Sequence, residues 1–259
     1  MKRRQFIKST VGGALISSVG FKSIHDNKSH ILSFSFDDGF KKSFIKLAEI
    51  HEEYGLKACL NIIASGHMKD FQAVDDWILP ELMGDFDLWN DLVSRGHEIM
   101  PHSWKHARLP DLDGEEAKIL ITKCIDYFNE HLEGFSPSKA VFNFPFNASN
   151  KELEKHTLTL VRAVRTGGNG AINPFPPKNG RILSCESHGP DLSNDWVEDK
   201  VNSFLSSDGG WMILNLHGLE NEGWGPLSTN YFSSLLKRLI LVKKLDILPV
   251  GMALKKYER

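Results

Sequence analysis

From Ile31 onward the chain alternates short apolar runs with stretches whose apolar residues recur at helical spacing. Ile31–Phe36 interleaves Ser33 and Ser35 with Leu and Phe, which predicts a strand. Lys42–Tyr54 places Phe44, Leu47, Ala48 and His51 on one face and stops at Gly55, which predicts a helix. The same reading predicts strands at Lys57–Ile63, His97–Met100, Ala140–Phe144, Leu160–Arg165, Ile182–Glu186, Trp211–Leu216 and Ile247–Val250. It predicts helices at Asp87–Val93 and Glu115–Leu132, one capped by Ser149 and running to about Leu158, one from Ser193 or Asn194 to Leu205, and a last one at Thr229–Leu245. A Gly- and Pro-rich loop after Arg165 runs through Arg181 and suits the rim of a site.

Such alternation, without repeat or linker, predicts a single α/β domain over residues 25–259, either an open doubly wound sheet or a (β/α) barrel. An open nucleotide-binding sheet usually has a Gly-rich turn after an early strand. Here Asp37-Asp38-Gly39 puts acids where a phosphate would need backbone amides. A barrel of about seven or eight strands fits better.

Charge narrows the function classes. The formal net charge is −2, but residues 1–22 hold five basic groups and no acid, so the remainder carries 26 basic against 33 acidic groups. A body that acidic is a poor match for a phosphate backbone, and nucleic acid is excluded as an expected partner. Cys59, Cys124 and Cys185 form no C-x-x-C pair, which excludes a Cys-rich metal site; they read as buried thiols, with one disulfide at most as the alternative. Arg3-Arg4-Gln5-Phe6-Ile7-Lys8, followed by the uncharged Ser9–Phe21, resembles a twin-arginine signal peptide and is assigned to residues 1–24. That resemblance implies passage of an already folded protein through the twin-arginine translocase, metal loading in the cytoplasm, and a periplasmic or extracytoplasmic place of work. Ser17-Ser18-Val19-Gly20 is a weak cleavage site, so an uncleaved N-terminal anchor is the alternative.

The distinctive polar residues follow strands directly: Asp37 and Asp38 after the first, His102 and His106 after Met100-Pro101, Pro145 after Phe144, His217 after Leu216. In a parallel barrel these positions meet at one mouth. His102 and His106, four apart on an expected helical turn, can reach one ion, and Asp38 can complete a three-ligand face that leaves room for water and substrate. The plainer alternatives are a surface turn, an Asp-Gly turn with a helix cap, and a core histidine at 217.

In order, Ser35-Phe36-Asp37-Asp38-Gly39, Gly96-His97-Glu98-Ile99 with His102-Ser103-Trp104-Lys105-His106, Phe144-Pro145-Phe146, and Leu214-Asn215-Leu216-His217 resemble the polysaccharide deacetylases, carbohydrate esterase family 4. The resemblance implies a distorted (β/α) barrel of about seven strands and metal-dependent removal of acetyl groups from a glycan. It implies Asp37 as catalytic base, and Asp38, His102 and His106 as ligands of one divalent metal ion, zinc above all, with other first-row ions accepted. It gives Phe146 as backbone donor to the oxyanion, His217 as acid, and Leu216 as a wall of the methyl pocket. Two positions depart from the family: Asn143 stands where the third motif has Arg, and Arg165 stands near the fourth motif's Asp. The chain thus offers Arg165 as the cation that orients Asp37. Trp104 and Trp224 are candidate sugar-stacking surfaces beside these segments.

An exported metal-dependent carbohydrate N- or O-deacetylase is the leading expectation, with an acetylated glycan as substrate and no stable protein partner. A metal-containing glycan binder with weak catalysis, and a non-haem iron oxygenase using two His and one carboxylate, are the alternatives.

Overall fold

Strands form where small or β-branched and aromatic residues alternate between two buried faces. The computed structural model describes residues 28–73, 77–168, 170, 172–175 and 180–257, and the export signal expected at 1–24 lies outside them. In chain order the elements are β1 (His30–Phe36), α1 (Lys41–Glu53), β2 (Cys59–Ile62), α2 (Phe86–Ser94), β3 (Glu98–Pro101), α3 (Gly114–His131), β4 (Val141–Asn143), α4 (Lys151–Leu160), β5 (Ala163–Gly167), β6 (Ile172–Asn173), β7 (Ile182–Cys185), α5 (Asn194–Leu205), β8 (Gly210–Leu216), α6 (Thr229–Leu239), β9 (Leu245–Ile247) and α7 (Val250–Tyr257).

Two parallel sheets, β3-β2-β1-β8 and β4-β5-β7, curve into one ring. At the β7–β8 seam a parallel bridge joins Glu186 to Leu214, and the short antiparallel β6 covers the earlier half of the β8 edge. At the β3–β4 seam no ladder forms among the described residues; the Asn143 side-chain amide donates to the Pro101 carbonyl at 3.2 Å instead. The fold is therefore an α/β, distorted (β/α) barrel of seven parallel strands. β1 pairs with β8 along its whole length, and on its other edge with β9 near its start and β2 near its end.

The period-two alternation sorts the core into two layers. Outward-facing Leu32, Phe34 and Phe36 pack under the helices, where Phe232 of α6 meets Phe34 and Phe36 edge-on at 5.2 and 5.4 Å. Inward-facing Ile31, Cys59, Val141, Ala163, Leu183, Trp211 and Ile213 fill the ring, floored by Val250, Ala253 and Leu254 of α7. Burying each of the Val, Leu and Ile side chains among them contributes about 1.5–3 kcal/mol. All three cysteines are free and buried.

Besides shifts of one or two residues at other ends and the short β6 inside the expected loop, element boundaries depart from the sequence expectation in four places. Asn150, whose side chain accepts the Leu153 N–H, caps α4, while Ser149 bonds Glu154 and Thr166. Leu160 closes α4, so β5 begins at Ala163. α6 stops at Leu239 because the chain must turn to lay β9 beside β1. The apolar run after Pro249 is helix α7, whose Gly251 and Met252 N–H groups are capped by the Glu98 carboxylate, each at 2.9 Å.

Candidate metal and active site

On four strands an inward-facing residue at or near the end is polar, Asn61 on β2, Asn143 on β4, Arg165 on β5 and Asn215 on β8, and Asp37 lies just beyond β1. Asp37 and Asn215 reach the lining of a cavity of about 380 Å³, which His102, His106, Phe146, His217 and Trp224 also line. Asp37, Asp38, His102 and His106, expected at one mouth, are indeed brought together there.

Asp38, His102 and His106 are buried, and one ligand atom from each lies within 4.8 Å of the others. His102 Nε2 and His106 Nε2 stand 3.5 and 3.4 Å from Asp38 Oδ1. Both Asp38 carboxylate oxygens are buried, and no donor among the described residues meets hydrogen-bond geometry with them. Such a carboxylate is expensive without a cation. His102 Nδ1 lies 2.9 Å from the Asn143 carbonyl oxygen, so it carries the proton and Nε2 is left as a lone pair for a metal. One carboxylate and two imidazoles with open positions suit a divalent first-row ion. Burial pushes the Asp38 carboxyl up, but the neighbouring His102 and His106 imidazoles outweigh it and hold it at about 2.

The two histidines do not share a helical turn, as their spacing suggested. Ser103 and His106 have φ of +66° and +53°, so the chain folds back in an irregular loop that aims both rings at Asp38. The Ser103 hydroxyl accepts the His106 N–H at 3.1 Å and pins that loop. Asp38 itself has φ +83°, which directs its side chain away from that of Asp37.

Asp37 is held from both oxygens. Oδ1 accepts from Asn61 Nδ2 at 2.7 Å; Oδ2 accepts from Arg165 Nη2 and Asn215 Nδ2, each at 2.5 Å. Burial raises its pKa, yet the Arg165 cation, then His102 and His217, bring the net shift below the ordinary carboxylate value. Arg165, fully buried, also donates from Nε to Asn143 Oδ1 at 2.7 Å and from Nη1 to Asn147 Oδ1 at 3.2 Å. It thus reaches the mouth from the strand beside Asn143, and its charge faces Asp37.

His217 lines the cavity with its ring edge-on to Trp224 at 5.6 Å, and burial lowers its pKa. Phe146 sits on a turn with φ +57°, its ring 4.7 Å from that of His106. The hydrogen bonds of that turn run from Asn147 N–H to Phe144 and from Ala148 N–H to Pro145, and neither uses the Phe146 amide.

Two expected residues lie elsewhere. Leu216 is buried in the layer under the helices, because alternation along β8 turns Asn215 inward and Leu216 outward. Trp104 packs against Tyr127 of α3 at 5.3 Å with the Lys123 ammonium 3.9 Å from its ring, away from the cavity lining. Trp77, which the sequence did not single out, does line the cavity and stacks on Phe40 at 5.9 Å. Asn61, Asn143, Asn147, Ser187 and Asn215 were likewise not singled out for the roles they hold here; the available signal was a polar residue at an inward position near each strand's end.

A family model described as polysaccharide deacetylase matches residues 25–161, just over half of the chain. No curated protein sequence matches it. Many solved structures share its fold. A Mycobacterium smegmatis protein provisionally named a polysaccharide deacetylase has 11% identity and a TM-score of 0.67, over 91% of this chain and 92% of that one. A peptidoglycan deacetylase from Bacillus subtilis has 16% identity and a TM-score of 0.55, over 90% and 93%. A CE4 family pseudoenzyme from Bacillus anthracis has 13% identity and a TM-score of 0.56, over 89% and 66%.

Proposed function

The chain belongs to the polysaccharide deacetylase family, and from that premise we propose that it hydrolyses acetyl amides or esters of a polysaccharide or oligosaccharide with one divalent metal ion held by Asp38, His102 and His106. The observation that carries this reading is a carboxylate, Asp37, clamped by a buried Arg165 and set 3.6 Å from His102 on the wall of the same cavity as His217.

When bound, zinc or another first-row ion supplies Lewis acidity toward the acetyl carbonyl and makes water more acidic. Asp37, kept ionised by Arg165, takes the proton from the attacking water. The Phe146 amide donates to the oxygen that becomes negative as the tetrahedral centre forms. His217 delivers a proton to the departing amine or alcohol, and acetate leaves. Trp224 and Trp77 offer apolar faces to the sugar. Export through the twin-arginine translocase, on the strength of Arg3-Arg4, puts this chemistry outside the cytoplasm; Arg3→Lys with Arg4→Lys, followed by cell fractionation, tests it.

The test of the activity is acetate release from chitin oligomers, peptidoglycan and acetylated xylan, before and after chelation and with metal restored. Release that chelation stops and metal restores supports the proposal. A second reading, a glycan binder with weak catalysis, rests on His217 Nδ1, which is buried without a hydrogen-bond partner among the described residues. Glycan binding without acetate release on any of the three substrates selects it. The parallel barrel and the family favour either reading over an oxygenase with the same donor set.

A further inference from the structure

Asn143 ends β4, is 1% exposed, and faces Arg165 directly across the β4–β5 ladder. Its main-chain carbonyl accepts His102 Nδ1–H at 2.9 Å and so fixes one ligand of the candidate metal site. Its side-chain oxygen accepts Arg165 Nε–H at 2.7 Å, and Arg165 in turn holds Asp37 Oδ2. Its side-chain nitrogen donates to Asn61 Oδ1 at 2.9 Å, and Asn61 holds Asp37 Oδ1. The same nitrogen lies 3.2 Å from the Pro101 carbonyl and 3.1 Å from that of Val141, across the seam where β3 and β4 share no ladder.

We propose that Asn143 is a positioning residue: through Arg165 and Asn61 it sets where the Asp37 carboxylate stands relative to His102, without itself touching substrate or metal. This rests on the deacetylase reading only for its consequence in rate. The residue type follows from the inventory of partners. Arg165 Nε–H needs an acceptor, whereas Asn61 Oδ1, Pro101 O and Val141 O need a donor, and a short carboxamide supplies both from one Cβ. An aspartate would set a carboxylate oxygen against three acceptors. A leucine would leave a buried guanidinium N–H unpaired. Because the seam has no ladder among the described residues, side chains help set the spacing between β3, which leads into His102, and β5, which carries Arg165, and the Asn143 side chain bonds to both. A displacement of about 1 Å at such a site can cost about 10²-fold in rate.

The test uses the zinc-loaded full chain and its Asn143→Ala variant, with two readouts. The first is acetate release from an acetylated chitin oligomer. The expected result is normal zinc content, since His102 bonds the main chain, with kcat lower by about 10²-fold and KM within about threefold. The second is the Arg165 Nε–H signal in an ¹⁵N spectrum, assigned by its loss in Arg165→Lys; it is protected from solvent exchange in the parent and loses protection in Asn143→Ala. A folded, zinc-loaded variant that keeps kcat within about threefold, or keeps the protected signal, overturns the proposal. Should Asn143→Ala fail to fold, Asn143→Ser, which keeps a hydroxyl in the seam but cannot bridge Arg165 and Asn61, is judged by the same two readouts. Should the parent release no acetate from chitin oligomers, peptidoglycan or acetylated xylan, the deacetylase reading fails, and the Nε–H signal alone decides whether Asn143 holds Arg165.

Discussion

His102 points Nδ1 at the carbonyl oxygen of Asn143, 2.9 Å away, and Nε2 at Asp38. A main-chain acceptor thus selects the ring tautomer that can ligate, before any metal arrives. Removing the ring removes one of three ligands from a site that has no spare donor among the described residues. His102→Ala is therefore expected to purify with at least about tenfold less metal than the parent under identical loading. Metal analysis by mass spectrometry checks this, and equal content in the two proteins removes the site assignment.

Asp37→Asn separates proton transfer from metal binding. The amide is nearly isosteric but cannot accept the proton, and general-base catalysis is worth about 10²–10⁴-fold. The variant is expected to keep its metal and lose turnover by that factor. The substitution also leaves the buried Arg165 guanidinium without its counter-ion and can turn an amide NH₂ toward Arg165 or the Asn61 and Asn215 donors, so a stability loss of about 3–5 kcal/mol accompanies the loss of rate. Near-parental turnover would assign the base elsewhere.

Arg165→Lys keeps the charge and removes the fork. One guanidinium serves Asp37, Asn143 and Asn147 at once, and a single ammonium on a flexible stem cannot hold all three. The expected result is retained metal with turnover lower by at least about tenfold. Arg165→Ala leaves the Asp37 carboxylate buried without its cation and is expected to cost about 3–5 kcal/mol in denaturant unfolding. Unchanged turnover in Arg165→Lys would show that the fork does not matter.

The residues that follow strands were legible because chemistry at a barrel mouth is carried by conspicuous side chains such as Asp37, Asp38, His102 and His217. The residues that hold them were not. Asn61, Asn143 and Asn215 sit inside alternating strands, where a polar residue ordinarily reads as one facing solvent; only ring closure shows that these positions face inward. The path from His102 to His106 was misread because helical spacing and a left-handed loop can present the same two rings. α7 was missed because its cap is nonlocal: Glu98, more than 150 residues earlier, takes the place of the Ser or Asp that would have announced a helix.

The tryptophans give a contrast within one experiment. Trp224 lines the cavity beside His217, whereas Trp104 packs on Tyr127 under α3. Trp224→Ala is expected to raise KM for an oligosaccharide by about tenfold, the loss of roughly 1.4 kcal/mol of stacking. Trp104→Phe keeps an aromatic ring against Tyr127 and is expected to leave KM within about twofold. Initial rates on a soluble acetylated oligosaccharide check both, and a KM effect in Trp104→Phe but not in Trp224→Ala would reverse the assignment.

Stability should fall with acid for a reason remote from the site. His51 is 1% exposed on α1, its Nδ1 is 2.7 Å from the Leu47 carbonyl, and the Phe232 ring lies 5.4 Å away. Burial lowers its pKa from 6.5 to about 4, the Leu47 hydrogen bond opposing this and the His97 charge adding to it. The unfolded chain takes up a proton at His51 once pH drops below 6.5, whereas the folded chain does not until about 4. Between those values each unit of pH favours the unfolded state, up to about 3 kcal/mol in all. His51→Leu replaces the titrating ring with an apolar side chain in an apolar setting, so its unfolding free energy should decline less steeply from pH 6.5 to 4 than the parent's. Urea titrations at several pH values in that window compare the two slopes, and parallel slopes would mean that His51 does not carry the acid sensitivity.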